Sequence, residues 1–124
     1  MCSRAHTPLQ WRMAHRDLAV LDAAERVADM VNELIDKAPR GRLLHVRQLR
    51  DAVQSIAANI SEGFGKGTVR DRDHSLEVAR GETEEAIRHL GANYRANRID
   101  SKNYWQIHNL LVVIAKMLTN MLRH

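Results

Sequence analysis

One spacing near the end of the chain constrains the fold most. Tyr104, Ile107, Leu111, Ile114, Leu118 and Met121 follow one another at alternating steps of three and four, which places all six on one stripe of an α-helix. The same period recurs upstream. Leu18, Leu21, Ala24, Ala28, Val31 and Ile35 mark a helix from about Arg16 to Ala38, widened by Val27 and Leu34 and ended by Pro39 and Gly41. Leu49, Val53, Ile56, Ile60 and Phe64 mark a second, from about Leu43. Leu76, Ala79, Thr83, Ile87, Leu90 and Tyr94 mark a third over about Val69 to Asn97, before a turn where Asp100 or Ser101 can cap the fourth, Lys102 to Leu122. No alternating apolar run argues for a strand. The expected fold is all-α: an up-and-down antiparallel four-helix bundle over residues 14–124. Residues 1–13 read as a flexible N-terminal lead-in, with Trp11 able to dock on the bundle.

The fourth helix carries more apolar residues than one stripe needs. Leu110, Val112, Val113 and Met117 lie outside the seam, as do Ala115 and Leu122. Such a helix is either central to the core or buried on its second face against another subunit. Four antiparallel helices cannot surround one of their own number. Self-association through Leu110, Val112, Val113 and Met117 is therefore the expectation.

Composition narrows the setting. The longest apolar run, Leu110 to Ala115, falls far short of the roughly 20 residues that span a bilayer. The N-terminal segment has no apolar signal core, and Cys2 is the only cysteine, so a soluble cytoplasmic protein is expected. The formal charge of +4 makes a polyanion a candidate partner.

The stretch "GFGKGT" invites a nucleotide-loop reading, with Gly63, Gly65, Gly67, Lys66 and Thr68. It fails on spacing. A phosphate loop needs a glycine five residues before its Gly-Lys pair, and Ile60 stands there; a dinucleotide fingerprint needs a third glycine at position 68 and a preceding strand. The structural reading is a helix stop, with glycine as the left-handed residue past the helix end and Thr68 with Asp71 opening the next helix. Just before it, in "ANISEG", Asn59 and Glu62 sit beside Ile56 and Ile60. They are either exposed on the helix edge or part of a buried polar knot completed by an arginine from another helix.

Here the chain resembles a known family. "QLRDAVQSIAANISEGFGKGT" and "HSLEVARGETEEAIRHL" are similar to the four-helix bundle proteins encoded within intervening sequences of 23S ribosomal RNA genes. They also resemble the accessory variability proteins of diversity-generating retroelements. The residues that carry the resemblance are Gln48, Leu49, Arg50 and Ala52; Ser55, Ile56, Asn59, Ile60, Glu62 and Gly63; and Leu76, Ala79, Gly81 and Glu85. Asp51, Lys66 and Glu82 depart from the family pattern, which commonly has arginine, arginine and serine there. The resemblance implies a ring-like homo-oligomer, commonly a homopentamer, without established enzymatic activity. Among the retroelement relatives it implies binding of nucleic acid and of a reverse transcriptase.

The candidate nucleic-acid-binding residues form two groups. Arg40, Arg42, Arg47 and Arg50, with His45, surround the first turn; Lys66, Arg70 and Arg72 flank the second. An antiparallel bundle puts these at opposite ends, and a ring multiplies each. The alternative is that they are solvated helix ends, with Arg47 or Arg50 paired to Asp51 or Glu62. With only 4% aromatic residues, base-specific readout is not expected. The acidic run Glu82 to Glu85 lacks the Glu-x-x-His spacing of di-iron bundles and is expected to pair with Arg80 or Arg88. No metal, cofactor or catalytic residue is expected. The sequence points to a non-catalytic oligomeric adaptor for RNA or DNA phosphates, with a protein partner, against an assembly protein whose charge is incidental.

Overall fold

The helix boundaries follow from capping chemistry and backbone-breaking residues. The computed structural model of the protein describes residues 8–123, with side chains from Arg16 onward. Helix α1, Pro8–Lys37, opens on a proline, whose missing N–H would have had no intrahelical partner in a first turn. This start lies about two turns before the expected one at Arg16, because Leu9 to His15 contain no helix breaker. The lead-in expected over 1–13 is thus helical from Pro8 on. Residues 1–7 and the side chain of Trp11 lie outside the described residues.

Helix α2, Val46–Phe64, begins later than the expected Leu43. Gly41 at φ 79° and His45 at φ 56° are both left-handed, which breaks the chain between them and α1. Leu43 still enters the core, as a loop residue. Helix α3, Val69–Arg95, is capped by Thr68, whose Oγ1 accepts from Asp71 N at 3.1 Å. Helix α4, Ser101–Met121, is capped by Asp100, whose carboxylate accepts from Asn103 N at 3.1 Å. Asn103 bonds that carboxylate through both its backbone and its side-chain amide and holds the Asp100 pKa below its ordinary value.

The glycine stretch does join α2 to α3, but not for the expected reason. Gly65 closes α2 at φ −89°, a right-handed conformation open to any residue. Gly63 lies inside the helix, buried, where a Cβ would come within 3.2 Å of Ser75 Cβ and 3.4 Å of the Arg72 carbonyl oxygen. It is there so that α2 and α3 can approach closely. The left-handed glycine is Gly41.

Each helix packs against two others, in the order α1, α2, α3, α4 and back to α1. All six seam residues of α4 are buried, against Val20, Val27, Val31, Leu49, Val53, Ile56, Ile60, Leu76 and Leu90. The additional apolar residues of α4 divide. Leu110 and Met117 pack onto the subunit's own core. Val112 is half-buried outside it, and Val113 is 47% exposed. All four keep some exposed surface, Val113 the most. Among the described residues, no helix is long and apolar enough to cross a membrane.

Candidate nucleic-acid interface

The α1–α2 loop and the α3–α4 turn meet at one end of the molecule. Arg42 Nη2 donates to the Asn97 carbonyl at 3.0 Å, and Arg98 Nη1 donates to the Arg42 carbonyl at 3.2 Å. Asn97 reverses the chain at φ 59°, a conformation that asparagine tolerates well. Beneath this reciprocal clasp, Asn93 is fully buried and binds Leu44 on both sides. The clasp opens onto a cleft of about 330 Å³ whose walls include Lys37, Arg42, Arg98, Asp100 and Asn103. Lys37 is bridged to Glu33 at 2.8 Å on the helix surface. Arg40 and Arg47 are exposed and make no ion pair among the described residues. Arg95 and Lys102 are exposed on the flanking helix ends. This end can offer several guanidinium and ammonium groups to a phosphate chain at once.

The seven predicted cations are thus sorted by their partners. Arg40, Arg42 and Arg47 share the clasped end. Arg50 does not serve it freely: its guanidinium donates to Asn32 Oδ1 and Asp36 Oδ1, each at 2.8 Å, and ties α2 to α1. That pairing is with α1, not with the expected Asp51 or Glu62. At the other end, Lys66 lies 3.4 Å from Glu62, and Arg70 is exposed. Arg72 is only 13% exposed, 3.3 Å from Asp73 and 3.9 Å from Asp17. The longer distance leaves Asp17 Oδ1 and Arg72 Nη2 without a hydrogen bond between them. Burial raises the Asp17 pKa, and Arg72 and then Arg16 only partly offset it. Arg50 and Arg72 are therefore already engaged by carboxylates within the subunit, unlike the other arginines expected to bind. Arg98, Arg95 and Lys102 stand at the same end and were not among the cations expected there. Pairing the first turn with the third, as an antiparallel topology requires, was the signal that could have found them.

The "SxxxNxxEG" residues behave differently from a cross-helix knot. Asn59 Nδ2 donates to Ser55 O at 2.8 Å and Ser55 Oγ at 3.0 Å within α2, and Glu62 is exposed. Gly81 is exposed on α3, with nothing within 4 Å of where its Cβ would be. On the acidic run, Glu85 pairs with Arg88, as expected, and accepts His89 Nε2 at 3.2 Å. His89 also faces His45, with ring centroids 5.1 Å apart. Desolvation lowers the His89 pKa, reinforced by His45 and Arg88.

Residues 16–120 match the family described as 23S rRNA-intervening sequence protein. The chain belongs to that family. A similar solved structure is that of a protein of unknown function from the S23 ribosomal protein family of Bacteroides thetaiotaomicron. It is 23% identical, covers 88% of this chain and 99% of its own, and superposes with a TM-score of 0.82. At that identity the likeness bears on the fold alone, which this chain and the Bacteroides protein share. No curated protein matches the chain.

Proposed function

We propose that this intervening-sequence protein is a non-catalytic, oligomeric helical adaptor that binds RNA or DNA phosphates through its clasped basic end. The observation that carries the reading is the reciprocal Arg42–Asn97 and Arg98–Arg42 contact, which joins cations from two distant segments around one cleft. Arg40 and Arg47 beside it make no ion pair among the described residues, so they remain available to phosphates. A closed ring of copies, a pentamer on the resemblance, would repeat this end around an axis and let individually weak contacts add. Of the four α4 residues expected at such an interface, Val112 and Val113 are the two that do not pack on the subunit's own core. The adaptor reading further includes a protein partner, for which a reverse transcriptase is the precedent that the resemblance supplies, and a cytoplasmic setting.

The test is fluorescence anisotropy of a labelled structured RNA and a matched DNA duplex, titrated at several salt concentrations. Phosphate binding predicts affinity falling linearly on a log–log plot, with a slope of about −0.9 per contact on duplex DNA. No binding at low salt would leave the second reading. In that reading the arginines serve the fold, as Arg50 and Arg72 do, and the protein works by assembly alone.

A further inference from the structure

Three of the chain's five aromatic side chains meet at one place. Tyr94, near the end of α3, and Tyr104, in the first turn of α4, stack with centroids 4.0 Å apart and planes 3° from parallel. Trp105 stands across them, at 73° and 4.8 Å from Tyr104 and at 71° and 6.2 Å from Tyr94. His108 meets it at 83° and 5.3 Å. Edge contacts of this kind fix the plane of an indole without giving it a parallel partner. Trp105 is 45% exposed, and among the described residues no ring stacks on it.

The surroundings say what would complete the stack. Lys102 lies one helical turn before Trp105 on the same side of α4. Arg95 follows Tyr94 and lays its guanidinium back along α3, with Nη1 3.1 Å from where a Cβ on Gly91 would be. The other neighbours along α4, Gln106 and Asn109, are neutral. A hydrophobic protein partner would match apolar neighbours, whereas an exposed flat ring with a lysine one turn away on its own helix and an arginine at the adjoining helix end matches a base with its flanking phosphates.

We propose that Trp105 is a stacking platform for an unpaired base of single-stranded RNA or DNA, with Lys102 and Arg95 holding the adjacent phosphates. This rests on the phosphate-binding reading above and gives its substrate class: strands with accessible bases rather than duplex. The few aromatic residues suffice because folding gathers them, and stacking is tolerant of base identity.

The test uses the full chain carrying Trp11→Phe, so that Trp105 is the sole indole. Unlabelled oligouridine is titrated while Trp105 emission is followed. In parallel, anisotropy is read on labelled oligouridine and on a labelled RNA duplex. Quenching of Trp105 in step with oligouridine binding is the expected result. Trp105→Ala should weaken oligouridine binding by roughly five- to 150-fold and leave duplex binding unchanged, while Trp105→Phe keeps most of the affinity. If oligouridine binds without quenching, or binds Trp105→Ala as tightly, the stacking proposal is overturned and the phosphate reading stands. If neither nucleic acid changes the anisotropy at low salt, both fall. If Trp105 emission instead shifts with protein concentration alone, a second copy covers the ring and the platform is overturned. The quenching arm needs no variant at position 105, so a poorly folding substitution cannot hide the outcome.

Discussion

Asn93 binds Leu44 from both sides: its Oδ1 accepts from Leu44 N at 2.7 Å, and its Nδ2 donates to Leu44 O at 3.0 Å. A side-chain amide thereby takes the part of a backbone strand and pins the α1–α2 loop to α3. The same Nδ2 donates to His89 O at 2.9 Å. Asn93→Ala removes all three bonds and strands two Leu44 backbone groups, so a loss of about 2–4 kcal/mol is expected. Asn93→Asp keeps the acceptor but sets a charge against two carbonyl oxygens, and should also destabilise. Urea denaturation midpoints check both.

The glycines Gly63 and Gly81 should respond in opposite directions. Gly63→Val forces methyl groups towards Ser75 Cβ and the Arg72 carbonyl, where even a Cβ is tight. Overpacking of that kind costs about 1–3 kcal/mol. Gly81→Ala meets nothing within 4 Å and gains helix propensity, about 0.5–1 kcal/mol. Thermal melts of the two variants should move to either side of the parent.

The arginines should separate into two classes under one pair of assays. Arg50→Ala breaks the α1–α2 link to Asn32 and Asp36 and is expected to cost about 1 kcal/mol of stability, given its partial exposure. Arg40→Ala and Arg47→Ala break no ion pair among the described residues and should leave stability within about 0.5 kcal/mol. In the salt titration those two should each lower the slope by about one contact. Arg47→Ala destabilising as much as Arg50→Ala would mean that the sorting by partner is wrong.

That sorting marks where sequence reasoning stops. The α4 seam, from Tyr104 to Met121, was fully legible because a period depends only on the chain itself. The Thr68 cap was legible for the same reason, and the α4 cap was narrowed to Asp100 or Ser101, of which Asp100 serves. Arg50 and Arg47 look alike in sequence, and only the neighbouring helix, with Asp36 on it, makes one structural and leaves the other free. Asn93 gave no signal at all, since an asparagine in a helix reads the same whether it faces water or another loop. Gly63 was noticed but misread: φ and a Cβ contact are tertiary facts, and the usual role of glycine past a helix end stood in for them. The clasped end was half legible, its first-turn arginines visible and its third-turn Arg98 hidden behind a turn motif.

His89 makes stability depend on mild acid. Its pKa is lowered in the fold by burial, and further by His45 and Arg88, although Glu85 faces it at 3.2 Å. The unfolded chain, with histidine near 6.5, therefore takes up the proton first as pH falls. The contribution is fully present above that value, declines as pH drops through it, and levels off below the lowered folded pKa. Urea midpoints between about pH 7.5 and pH 5 should fall in the parent and flatten in His89→Gln. An unchanged slope in His89→Gln would assign the effect to another group.

The outer face of α4 can be tested against its own inner face. Leu110 and Met117 pack on the subunit core, whereas Val112 lies outside that core and Val113 is 47% exposed. Leu110→Glu or Met117→Glu buries a charge and should destabilise the subunit whatever its assembly state. Val113→Glu places its charge in water, so it should cost the subunit little and act only where a second copy covers that face. Light scattering coupled to size exclusion, with circular dichroism on the same fractions, reads the two effects apart. Loss of assembly with full helicity in Val112→Glu and Val113→Glu supports an interface at this face. Intact assembly with an unfolding subunit would show that the extra apolar residues of α4 serve the fold alone, and that any ring closes through another surface.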